Sequence, residues 1–261
     1  MIFTEAQLSA WLAAFMWPMM RISAMIAAAP VFSSRQTPTR LRIGISLLLS
    51  FMLMPLIPPP PVVEVFSPAA LLIALQQVLI GLVMGLVGRF MFAAIEFAGT
   101  VVGFQMGLSM ANMFDPMSEQ QISMLARFET AIAMLVFLMM DLHLIIVQAM
   151  VRSYSLLPPG GANMNNDLAR EILNLSAGVF SIGFQIGAPL IIALFLSNMI
   201  IGLLARSVPQ IQIFVVGFPL TLLLGFVFLM FGIPFLVKAF RRMFGMLDNQ
   251  ILDILRLMGL S

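Results

Sequence analysis

The chain has 261 residues, of which 61% are hydrophobic and only 9% charged, with 13 Lys+Arg against 11 Asp+Glu, a formal net charge of +2 and a mean hydropathy of +1.08. Soluble domains run at roughly 25% charged residues, so this composition excludes an ordinary soluble enzyme and a disordered chain. The lack of strand-like polar–apolar alternation excludes an outer-membrane barrel. The basic pI near 9.9 reflects scarcity of charge. No run of basic residues exceeds Arg241-Arg242, so the clustered basic face of a nucleic-acid-binding protein is missing. Cysteine is absent and His143 is the one histidine, which excludes disulfides, thiol chemistry and multi-His metal centres. No metal or other cofactor is expected. Methionine (24) and phenylalanine (23) are abundant, and methionine adapts to irregular partners.

Six long apolar stretches predict an all-α, polytopic membrane fold of long, kinked hairpins, since a span needs about 20 apolar residues. The first covers residues 8–31, with Trp11 and Trp17 in its first half and a kink expected at Pro18. No basic region precedes it, so it reads as a span and not as a secretory signal. The second covers 41–57 and stops at Pro58-Pro59-Pro60-Pro61, and the third covers 68–97 with Pro68 placed for a first turn. The fourth covers 127–151, the fifth 171–205 with Pro189 inside it, and the sixth 211–240, interrupted by Pro219 and Pro234. In the remaining residues, 241–261, Met246, Leu247, Ile251, Ile254, Leu255 and Met258 recur at amphipathic-helix spacing.

Arginines in short loops set orientation. Arg35, Arg40 and Arg42 place the first loop in the cytoplasm, and six spans then put Arg206 inside and both termini outside. Lys238, Arg241, Arg242 and Arg256 prefer the opposite side for the tail. The uncharged run 172–205 would rise about 50 Å as a helix, against a hydrocarbon core of roughly 30 Å. The tail's preference implies either that one apolar stretch does not span or that the protein does not sit in a bilayer conventionally, and the overlong fifth stretch predicts a helix buried largely against protein.

The segment 96–127 is the most informative. Gly99, Gly103, Gly107 and Ala111 recur every four residues, which in a helix makes a small-residue stripe for close packing. Met110, Ala111, Asn112, Met113 and Phe114 follow, ended by the break at Asp115-Pro116. Such a soft apolar loop serves either as a deformable seal in a pore or as an interfacial loop on neighbouring helices. Arg89, Glu96, Arg127, Glu129, Asp141 and His143 lie in or at the ends of apolar stretches. Intramembrane charges cost roughly 2.5–3.5 kcal/mol each on insertion scales and therefore face partners or aqueous paths. Two readings stand: structural pairing within or between subunits, or a proton relay through Glu96, Asp141 and His143. Neither HExxH, G-x-S-x-G nor a P-loop occurs, so no catalytic residue is assigned and the chain is not read as an enzyme.

The stretch Gly103-Phe104-Gln105-Met106-Gly107-Leu108-Ser109, then Asp115-Pro116, resembles the FliR family of flagellar export proteins. So do Arg206-Ser207-Val208-Pro209-Gln210-Ile211-Gln212-Ile213-Phe214 and the following Gly217-Phe218-Pro219, and the early segment from Pro30-Val31-Phe32 to Arg42. The resemblance covers essentially the whole chain and is nearer the flagellar branch than the injectisome one. It implies an export-gate subunit that forms a closed, helical, hetero-oligomeric pore with FliP and FliQ in the bacterial inner membrane, within the flagellar basal body. Unfolded export substrates would cross that pore. It also implies a FliP-like part (1–170), a FliQ-like hairpin (171–240) and an amphipathic tail (241–261). Met110, Ala111, Asn112, Met113 and Phe114 would plug the channel. The turn Arg206, Ser207, Val208, Pro209, Gln210 would face FlhB at the cytoplasmic entrance, with lipid around the outer helices. Two alternatives of other classes are a stand-alone proton-coupled secondary transporter and a pore-less membrane scaffold.

Overall fold

The computed structural model describes residues 5–30, 32, 37–57, 67–108, 123–162, 166–207 and 213–259. Among these residues every regular element is helical: α1 (Glu5–Ala28), α2 (Thr39–Leu53) with a 3-10 turn (Met54–Leu56), α3 (Pro68–Gln105), α4 (Met124–Met139), α5 (Leu142–Leu156), α6 (Asn166–Ser207), α7 (Ile213–Phe244) and α8 (Leu247–Gly259). Helices are the economical solution for so apolar a chain, because each satisfies its own backbone groups without water. Four helical segments are long and apolar enough to cross a membrane, or five if the broken pair α4 and α5 counts as one.

Pro18 and Pro189 lie inside helices, as their stretches place them, whereas Pro219 and Pro234 depart from expectation: α7 runs through both without interruption. In apolar surroundings, neighbouring helices and local adjustment accommodate the lost hydrogen bond. The fourth stretch breaks instead at Asp141, a residue without a helix-breaking reputation. Its backbone is left-handed (φ 54°), and its carbonyl accepts from the Leu144 and Ile145 N–H groups that open α5. At 38 and 42 residues, α3 and α6 would rise about 57 and 63 Å, well beyond a hydrocarbon core.

The chain forms two compact units. The first comprises Met1–Phe90, Asp141–Leu175 and Gly245–Ser261. In it α1 packs on α2 and α5 packs on α8. Helix α8 buries Leu247, Ile251, Ile254, Leu255 and Met258, as their spacing predicts, whereas Met246 stays exposed. Helix α2 is the reverse of a soluble helix. Its buried positions include Ser46 and Ser50, whose hydroxyls donate to the carbonyls one turn back at 2.8 and 2.6 Å. Leu47, Leu48, Phe51 and Met52 point outward. A hydroxyl satisfied by its own helix can face a neighbouring helix cheaply, leaving the apolar side for a nonaqueous environment.

Helix α1 and the first part of α3 approach closely. A Cβ at Gly81 would collide with the Arg21 carbonyl oxygen, and one at Gly85 would lie 2.5 Å from the Ala28 Cβ. At this contact Arg21 is completely buried. Its Nε–H donates to Gln77 Oε1 (2.9 Å), Nη1 to Ser153 Oγ (2.9 Å) and Nη2 to the Leu157 carbonyl (2.8 Å). Its guanidinium carbon also lies 3.9 Å from the Tyr154 ring centre. One planar fork thus joins α1, α3 and the end of α5.

The second unit comprises Met91–Met140 and Ser176–Phe244. Phe92, Phe137 and Phe244 form a ring triangle with centroids 5.3 to 5.8 Å apart, joining α3, α4 and α7. Phe97 meets Phe180 and Phe184 of α6 edge-on, both at 5.2 Å. Such pairs contribute about 0.5–1.5 kcal/mol each beyond area burial.

Replacing Arg21 by Leu strands the Gln77 and Leu157 oxygens in the interior, at about 1–3 kcal/mol per group. Arg21→Leu is therefore expected to lower the thermal unfolding midpoint of the detergent-solubilised protein clearly. Arg21→Lys should recover part of the loss, since an ammonium cannot reproduce the fork. Equal midpoints for the wild type and Arg21→Leu would refute the role given to this cluster.

Candidate functional site

Of the residues singled out in the sequence, Gly99, Gly103 and Gly107 lie on or just past the last three turns of α3. Gly99 and Gly103 face the start of α4. A Cβ at Gly99 would sit 2.6 Å from the Ala126 Cα and 2.9 Å from Glu129 Oε2, and one at Gly103 would collide with Ser123 Oγ. These glycines therefore set how closely α3 and α4 approach. Gly107 does something else. Helix α3 ends at Gln105, and Gly107 takes a left-handed φ of +80°. The Gly107 N–H donates to the Phe104 carbonyl and the Leu108 N–H to the Gly103 carbonyl, both at 3.0 Å. This is a Schellman cap. It requires at C′ a residue free of the Cβ penalty, so Gly107 terminates the helix instead of extending the stripe.

On its other sides the same stretch of α3 meets the two long helices. A Cβ at Gly183 of α6 would lie 2.7 Å from the Ala94 carbonyl oxygen, and one at Gly225 of α7 would lie 2.5–2.9 Å from the Met106 side chain. Phe218 of α7 faces Gly107. The Gln105 carbonyl, unpaired by the cap, accepts from Asn198 Nδ2 of α6 (3.3 Å), and Thr221 of α7 donates to Asn198 Oδ1 (3.2 Å). Interhelical polar bonds of this kind are worth about 0.6 kcal/mol on average in membrane proteins. Gln105 and Met106 stand in the glycine-rich motif without a role legible in the sequence, and Asn198, Thr221 and Gly225 carry no charge or motif that marks them.

The six polar residues expected to pair have different fates. Arg89, Arg127 and Asp141 are exposed, and Glu96 and His143 are partly buried. Glu129 is 1% exposed, and neither of its carboxylate oxygens has a hydrogen-bond partner. The ion pairs Arg152–Asp248, Arg170–Asp167 and Arg256–Asp253 involve none of the six, so the pairing expected for Glu129 is not met within the described residues. The reason is geometric: Glu129 faces the glycine side of α3, which offers it no donor side chain at Gly99. Asp141 and His143 lie near the middle of the fourth apolar stretch, at the 64° bend where it breaks into α4 and α5. Arg206 and Ser207 are exposed in the last turn of α6, where a cation complements the helix dipole. Val208, Pro209 and Gln210 lie outside the described residues, as do Met110, Ala111, Asn112, Met113, Phe114, Asp115 and Pro116.

An all-α polytopic membrane protein, with long helices packed through glycines, is the class this architecture defines. The sequence model of the family described as "Bacterial export proteins, family 1" matches residues 12–247. The chain is 36% identical to the flagellar biosynthetic protein FliR of Escherichia coli (strain K12), over 97% of this chain and 96% of that protein. It is 34% identical to FliR of Pectobacterium carotovorum, over 94% of each chain. It is 32% identical to FliR of Bacillus subtilis (strain 168), over 95% and 96%. The chain belongs to this family, the FliR family of bacterial export proteins.

Gly99→Leu and Gly103→Leu should each force α3 and α4 apart, at a cost of about 1–3 kcal/mol or more from overpacking. Gly44→Leu, at a helical glycine with nothing within 4 Å of an added Cβ, should be nearly neutral. Thermal midpoints in detergent compare the three, and a Gly99→Leu protein as stable as Gly44→Leu would remove the close-contact argument. On the same scale Glu129→Met should be neutral or stabilising, since it removes an unpaired buried carboxyl at similar volume. A marked loss of stability would show that Glu129 has a partner after all.

Proposed function

We propose that this chain is a core subunit of the flagellar export gate. With FliP and FliQ it forms the closed pore through which unfolded flagellar subunits cross the bacterial inner membrane in the basal body, with FlhB at the cytoplasmic entrance. Family membership supports the export role, and the flagellar names of the relatives favour it over the injectisome counterpart. The observation that carries the assembly reading is the apolar surface that α6 and α7 leave uncovered. Phe184, Phe195, Ile200 and Leu203 on α6, and Leu223, Phe226 and Phe231 on α7, are large, apolar and exposed in the chain alone. Exposed apolar area on this scale marks an interaction surface for protein or lipid. A helix about twice the length of a hydrocarbon core, as α6 is, suits protein neighbours better than lipid along its whole length.

In this reading residues 1–170 are FliP-like and 171–240 form the FliQ-like hairpin, with 241–261 as the tail. Met110, Ala111, Asn112, Met113 and Phe114 plug the channel at rest, ended by Asp115 and Pro116. Gly99 and Gly103 let α4 pack tightly beside the plug's root. The turn Arg206, Ser207, Val208, Pro209, Gln210 faces FlhB. The exposed Arg89, Arg127 and Asp141, with Glu96 and His143, pair with charges on neighbouring subunits.

Co-expression of the tagged chain with FliP and FliQ, followed by native mass spectrometry, should give a defined hetero-oligomer containing all three. A stable monomer or homodimer that ignores both partners would overturn the assembly. Deleting residues 110–114 in the assembled gate should raise passive ion leakage across the inner membrane, and an unchanged leak would refute the plug.

A further inference from the structure

We propose that the end of α3 is a releasable latch: Met106 seated against Gly225 of α7, with Asn198 of α6 bridging the Gln105 carbonyl to Thr221, holds the last turn of α3 in its closed position and must let go when a chain passes. The inference rests on the closed-pore reading above and adds to it the residues that set the closed state.

Three features make this contact specific. Gly225 offers a notch, because an added Cβ would lie 2.5, 2.6 and 2.9 Å from Met106 Cε, Cγ and Sδ. Met106 itself is fully buried although it lies one residue past the end of α3. The Gln105 carbonyl is an orphan of the helix terminus that the cap leaves unpaired, and Asn198 supplies its donor.

The same contact is built to release. A methionine side chain is unbranched and flexible, so it can leave the notch by rotamer changes without moving the helices first. Thr221 Oγ lies within hydrogen-bonding distance of both Asn198 Oδ1 (3.2 Å) and the Gly217 carbonyl (2.8 Å). A hydroxyl has one proton to donate. Thr221 can therefore drop Asn198 and keep a partner within its own helix, so the bridge opens without stranding the hydroxyl. A purely structural contact would gain from a donor committed to Asn198.

The chain has no cysteine, so Met106→Cys with Gly225→Cys introduces the sole thiol pair in this subunit. The closeness of the two side-chain positions suits a disulfide, whose Cβ atoms stand about 3.5–4.5 Å apart. In cells carrying the full gate, oxidation should cross-link the pair and cut flagellar subunit export at least ten-fold. Reductant should restore it to the level of the same variant before oxidation. Export that continues unchanged through cross-linked gates would overturn the latch, as would thiols that fail to bridge in an assembled gate. A second arm covers a double variant that does not export even when reduced. Gly225→Leu, which expels Met106, and Asn198→Leu, which removes the bridge, should each raise resting ion leakage severalfold in assembled gates. Assembled gates as tight as wild type in both would also overturn it. The plug stands or falls separately. Leakage on deleting residues 110–114 with unimpaired export in cross-linked gates removes the latch alone, whereas a tight deletion with blocked cross-linked export removes the plug alone.

Discussion

The close approach of helices across glycine is the constraint on which the rest of this structure depends. Where the surroundings are as apolar as the side chains, burying another leucine gains little, and helices associate through van der Waals contact and local polar bonds. Helix α3 carries this principle along its length. In the first unit Gly81 and Gly85 admit the backbone of α1, and in the second Gly99 and Gly103 admit α4. On α6 and α7 the roles reverse: Gly183 and Gly225 make room for Ala94 and Phe97 of α3 and for Met106 just past its end. A side chain at Gly81, Gly85, Gly99 or Gly183 would meet backbone atoms of the neighbouring helix, whereas one at Gly103 or Gly225 would meet the Ser123 or Met106 side chain.

Close packing in turn dictates how polar groups are treated. Arg21 is tolerable at full burial because an amide, a hydroxyl and a backbone carbonyl share its fork, and because the Tyr154 ring covers its face. Ser46 and Ser50 satisfy themselves on their own helix. Asn198 and Thr221 use each other and a helix-terminal carbonyl. Glu129 breaks the pattern, buried without a hydrogen-bond partner among the described residues.

The proposed passage of an unfolded chain would ask for two properties in tension: a seal tight enough to hold ions back, and helices able to reposition. In the proposed latch, methionine against glycine and a shared hydroxyl proton would answer both, because each gives contact at rest and little penalty on release.

Composition by itself determined that the chain is helical and membrane-bound, since nothing so apolar can satisfy its backbone otherwise. Hydropathy placed the helices, and the spacing in residues 246–258 gave the buried face of α8 all but Met246. The glycine-rich motif and the Arg206–Pro219 region carried the family. Local pattern failed where neighbours decide. Pro219 and Pro234, expected to interrupt the sixth stretch, lie inside one continuous helix. Asp141 ends one through a backbone conformation that its side chain does not announce. Gly107 continues the four-residue period and yet caps the helix, because a small residue suits a stripe and a left-handed cap equally. The partners of Arg21, Met106 and Asn198 lie dozens of residues away in sequence. Only tertiary structure could name them, since hydrogen-bond geometry and the depth of a glycine notch exist only once separate helices are brought together.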